Sequence, residues 1–67
     1  MLFKGWNLYI SYRSKMGESE RFSDLATAKA RFSELKKMMD NNEHDAMTIE
    51  LVEVTNNGRT QLGFYIA

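Results

Sequence analysis

Only one stretch of this chain repeats its apolar residues at helical spacing. Leu25, Ala28, Phe32, Leu35 and Met39 recur three or four residues apart, which places them in one stripe on a helix of about 16 residues. Thr27, Arg31, Glu34 and Lys37 fall on the other side. Ser23 or Asp24 can cap the free N–H groups of the first turn, and a carboxylate there also suits the helix dipole. Asn41-Asn42 marks the stop, because Asn tolerates the left-handed conformation. On both sides of this segment the apolar residues alternate with polar ones, the period of a half-buried strand. One amphipathic helix between two alternating halves can close a core by lying on a sheet.

The first half contains two strands. Trp6, Leu8, Ile10 and Tyr12 alternate with Asn7, Tyr9, Ser11 and Arg13. Lys15-Met16-Gly17-Glu18 reads as a turn, with Gly17 free to adopt a positive φ. Ser19 to Phe22 is polar except for Phe22, as expected of an edge strand protected by charge. The second half follows an acidic loop, Glu43-His44-Asp45. Met47, Ile49 and Leu51 share one face of the third strand, which runs to Thr55. Val52 and Val54 share the other with Glu50, so either a bulge shifts the phase or both faces are apolar. Asn57-Gly58 then signals a hairpin. The fourth strand, Thr60 to Ile66, sets Leu62, Phe64 and Ile66 on one face and Gln61, Gly63 and Tyr65 on the other. Gly63, inside a strand, marks a bulge or a place where an aromatic ring crosses the backbone.

The expected fold is therefore α+β: a single ββαββ domain over residues 1–67, with one helix on one face of a four-stranded antiparallel sheet. The expected core is Trp6, Leu8, Ile10, Phe22, Leu25, Ala28, Phe32, Leu35, Met39, Ile49, Leu51, Leu62, Phe64 and Ile66. Strand order is left open.

Composition narrows the function classes. A domain near 60 residues buries only about 60% of its unfolded surface, and small domains often add disulfides or a structural metal. This chain of 67 residues has no Cys and one His, so neither a disulfide nor a thiolate zinc site is available. A hydrophobic content of 43% still suffices for a core. Nine Lys+Arg against nine Asp+Glu argue against binding driven by phosphate neutralisation. No apolar run spans a bilayer, and Met1-Leu2-Phe3-Lys4-Gly5-Trp6 lacks the pattern of a signal peptide. A cytoplasmic protein without a membrane partner is expected.

No phosphate-binding glycine loop, nucleophile elbow or zinc-protease motif occurs. Glu43, His44 and Asp45 are adjacent loop residues, which seldom converge on one ion, and Glu18 with Glu20 sit on a short edge strand of a domain with little room for a cleft. No enzyme, catalytic residue, cofactor, metal or small-molecule substrate is expected. What remains is the sheet face without a helix, where Tyr9, Val52, Val54 and Tyr65 form an apolar cluster rimmed by Asn7, Ser11, Glu50 and Gln61. That composition resembles a protein interface, for a foreign partner or for self-association as a homodimer. The alternative is nucleic-acid binding through Lys29, Arg31, Lys36 and Lys37 on the helix with Lys4, Arg13, Lys15 and Arg59 at strand ends.

Three segments, Trp6 to Tyr12, Phe22 to Ala28, and Leu51-Val52-Glu53-Val54 running into Asn57-Gly58-Arg59, cover about half the chain. In these the chain resembles the small ββαββ proteins encoded by phages and other mobile elements, anti-CRISPR inhibitors among them. The resemblance implies a protein that inhibits a host protein by binding it. It transfers no individual functional residue.

Overall fold

A computed structural model describes residues 4–67. Met1-Leu2-Phe3, the start of the segment expected not to be a signal peptide, lie outside them. The elements run β1 (Lys4–Tyr12), β2 (Glu18–Phe22), α1 (Leu25–Asp40), β3 (Ala46–Thr55) and β4 (Gly58–Ile66). The strands form one antiparallel sheet in the order β2-β1-β3-β4, with α1 on one face. This is the expected ββαββ fold. The two central strands, β1 and β3, come from different hairpins, so the pairing that joins the halves is non-local. Among the described residues, no helix is long and apolar enough to cross a membrane.

Asp24, not Ser23, caps α1. Its Oδ2 accepts the Thr27 N–H at 2.9 Å and the Thr27 hydroxyl at 2.9 Å, satisfying one free donor of the first turn. At the other end Asn42 takes a left-handed φ of 58°. The N–H of Asn42 then reaches the Met39 carbonyl at 3.2 Å and that of Glu43 reaches Met38 at 2.7 Å. This pair of bonds is a Schellman stop.

The glycine of the first turn plays a different part from the one expected. Gly17 has no positive φ; among the described glycines only Gly58 does, at 131°. A Cβ at Gly17 would instead lie 2.9 Å from the Ile10 carbonyl oxygen. Glycine is needed there for close backbone approach.

The core lies between α1 and the central strands. Leu8, Leu35 and Ile49 are wholly buried, with Trp6, Ile10, Ala28, Met39, Ala46 and Leu51 around them. Leu25, Phe32, Phe22, Tyr12 and Tyr65 pack against its margin. A helix is about 10–12 Å across, whereas four strands span about 19 Å at normal spacing. One helix cannot cover the whole face, and side chains at the margin must reach inward.

Leu62, Phe64 and Ile66 do not join this core. They are 42%, 51% and 61% exposed. The reason is a one-residue bulge. The hairpin begins with Thr55 opposite Gly58 and Val52 opposite Gln61. A regular ladder continued from there would set Leu62 opposite Leu51 and Phe64 opposite Ile49, both on the helix side. Instead Leu62 is unpaired, Gly63 faces Leu51 and Tyr65 faces Ile49. One inserted residue exchanges the faces of everything beyond it. From Thr48 to Thr55 β3 itself carries apolar residues on both faces, and a separate bulge near its start skips Met47 between the Ser11–Thr48 and Tyr12–Ala46 pairs, so Ala46 is buried in place of Met47, which does not share the Ile49 and Leu51 face as expected.

Candidate functional site: the uncovered sheet face

The face opposite α1 is set by the register. Asn7 lies opposite Val52, Tyr9 opposite Glu50, and Gly5 opposite Val54. Across β3, Glu50 faces Phe64 and Thr48 faces Ile66. Tyr9, Val52, Val54, Phe64 and Ile66 therefore share one surface. Val52 is only 5% exposed although no helix covers it; its neighbours on the same face shield it. Polar pairs hold that shield in place. Gln61 donates to a Glu50 carboxylate oxygen at 2.6 Å, and the Asn7 amide donates to the Tyr9 hydroxyl at 3.2 Å. Ser19 and Arg21 carry the face onto β2, opposite Tyr9 and Asn7.

Of the four residues expected on this surface, Tyr9, Val52 and Val54 are there and Tyr65 is not. The bulge puts Tyr65 on the helix side, where its ring packs against the core margin. Its hydroxyl donates to Asp40 at the end of α1, and the Lys36 ammonium sits 5.1 Å from the ring centroid. The bond to Asp40, with burial second, raises the Tyr65 pKa above its ordinary value, because phenolate would face carboxylate. Phe64 and Ile66 occupy the surface instead. The signal that pointed toward this exchange was Gly63: it lies beside the bulge, and the Phe32 ring lies across it.

The charged groups are largely engaged in structural contacts. Arg31 on α1 pairs with Glu20 on β2 through two bonds, Nε to Oε1 at 3.0 Å and Nη2 to Oε2 at 3.2 Å, and also with Glu34. The bond to Glu20 leads the causes that raise the Arg31 pKa. Lys4 lies 5.7 Å from the Trp6 ring and Lys15 4.3 Å from the Tyr12 ring, within cation–π range. Glu18 accepts the Tyr12 hydroxyl at 3.1 Å; burial first, then that bond, raises the Tyr12 pKa. The two carboxylates of β2 thus serve different partners.

His44 closes the far end of the sheet. Its Nδ1 accepts the Ala46 N–H at 3.1 Å, and its ring stacks on Tyr12 with centroids 5.8 Å apart. Two open depressions flank it, one lined by Tyr12, Lys15 and Glu43 and the other by Arg13, Met39 and Ala67. Among the described residues, no three His, Asp or Glu side chains are grouped to hold a metal ion.

No protein-family model, curated protein or solved structure matches this chain.

Proposed function

We propose that this chain is a small non-enzymatic protein-binding module, and that the uncovered sheet face is its contact surface. The observation that carries the proposal is the exposure of Phe64 and Ile66 beside Tyr9, Val52 and Val54. Exposed aromatic and aliphatic side chains with a rim of Asn7, Ser11, Glu50 and Gln61 have the makeup of an interface centre and its border. A regular hairpin would have directed Phe64 to the helix side, so its outward position follows from a specific irregularity of the strand. In line with the resemblance to mobile-element proteins, the partner is a host protein that the module inhibits in the cytoplasm. Arg31 is committed to Glu20 and Glu34, which takes the centre out of the helical cation strip that a nucleic-acid reading needs.

The test is affinity capture from host lysate with the wild type, Phe64→Glu, Tyr9→Ala and Met16→Ser, followed by calorimetry on the captured protein. Met16 is highly exposed but lies in the β1–β2 turn. Loss of one partner with Phe64→Glu and its retention with Met16→Ser supports the reading. A partner that binds all four proteins equally refutes it.

A further inference from the structure

We propose that β4 pairs edge to edge with β4 of a second copy, in one antiparallel register centred on the bulge. Among the described residues, β2 and β4 are the two edges of the sheet. β2 is five residues long and includes Glu18, Glu20 and Arg21, so it is short and charged, as protected edges are. β4 is nine residues long and Arg59 is its one charged residue.

Antiparallel pairing directs the main-chain groups of alternate residues to the two sides of a strand. Gly58 closes the hairpin toward Thr55, and the N–H of Ala67 reaches the Met47 carbonyl at 2.9 Å. These inward contacts, with the bulge between them, leave Arg59, Gln61, Phe64 and Ile66 aimed at the free edge. Gln61 and Phe64 are three residues apart, not two. A regular strand can follow one half of this edge and falls out of step at Leu62. A second copy of β4 running the other way has the same three-residue step at the same place. The two-fold then sets Arg59 opposite Ile66 and Gln61 opposite Phe64, each pair occurring twice, with the bulges facing each other across the axis.

No like charges meet in this register, and the chain as a whole carries no net charge to oppose association. A two-fold perpendicular to the sheet keeps the helices on one side and joins the two uncovered faces into one surface. The contact runs about 30 Å along the strand, and such a narrow strip buries less than the roughly 1,200 Å² of a stable interface. The dimer is therefore weak and concentration-dependent. It uses the strand edge, so its failure leaves the partner-binding reading of the face standing, and the reverse.

The test is sedimentation equilibrium of the full chain from about 10 μM to 1 mM, spanning weak affinities, with Ile66→Glu and Ile66→Arg beside the wild type. Ile66 is well exposed, so both variants keep the fold. The wild-type mass is expected to rise toward twice the monomer. Ile66→Glu, facing Arg59 of the second copy, should dimerise about tenfold more readily, and Ile66→Arg about tenfold less, since each change counts twice across the two-fold. Amide exchange at Phe64 and Ile66 should slow with concentration while that at Ser19 on β2 does not. A monomer at every concentration overturns the proposal. So does a shift of the same sign for both variants, which would assign association to the apolar face.

Discussion

The ring of Phe32 lies flat enough on Gly63 that a Cβ built there would stand 3.3 Å from the ring's Cζ. The helix reaches the outer strand through this contact. Gly63→Ala should change stability by less than about 1 kcal/mol, because the half-buried ring can yield while the strand gains by losing a glycine. Gly63→Val adds more atoms than that movement accommodates and should cost about 1–3 kcal/mol. Gly17→Ala meets a backbone oxygen instead and should be the more harmful of the two alanines. Urea unfolding of the three variants checks the order; equal costs at Gly17 and Gly63 would contradict it.

Phe64 and Leu35 are both large and apolar, yet they should respond unequally to truncation. Leu35 is wholly buried, so Leu35→Ala should cost about 2–5 kcal/mol. Phe64→Ser should cost less, about 1 kcal/mol, because half of the ring is already exposed and what is lost is strand propensity and cross-strand packing. A large cost at Phe64 would return it to the core and remove the bulge as the organising feature of β4.

The Glu20–Arg31 pair links the edge strand to the helix through two bonds. It is part-exposed, so solvent screens it. A double-mutant cycle with Glu20→Gln and Arg31→Met should give a coupling of about 0.5–1 kcal/mol that shrinks with added salt. No coupling at low salt would mean the pair does nothing for stability.

Asp24 and Tyr65 tie stability to pH with opposite signs. The Asp24 pKa is lowered by the bonds from Thr27, so its contribution is present above the ordinary carboxylate value near 3.8 and is lost as pH falls through the folded value. Asp24→Asn still caps but should flatten that acid loss. The Tyr65 pKa is raised by Asp40. Its contribution is full below the ordinary value of 10.0 and is lost as pH rises through the folded one. Tyr65→Phe should remove one late-ionising tyrosine from an ultraviolet titration and flatten the alkaline loss. Melting curves across pH that do not change in these variants would refute both assignments.

The sequence by itself determined what neighbouring residues decide among themselves. The stripe from Leu25 to Met39, a cap at Ser23 or Asp24, a stop at Asn41-Asn42, the hairpin at Gly58 and the alternation along β1 all arise from contacts a few residues long. So did the sharing of one face by Phe64 and Ile66. Which face that was depended on one residue of register, counted from Thr55 across to Gly58 and interrupted at Leu62. Because β3 is apolar on both faces, hydrophobicity could not choose between them. The choice fell to tertiary structure: a helix too narrow for four strands, Phe32 seated on Gly63, and Tyr65 reaching Asp40 with its hydroxyl. These contacts join residues far apart in the chain, and their combined packing turned Tyr65 inward and Phe64 outward.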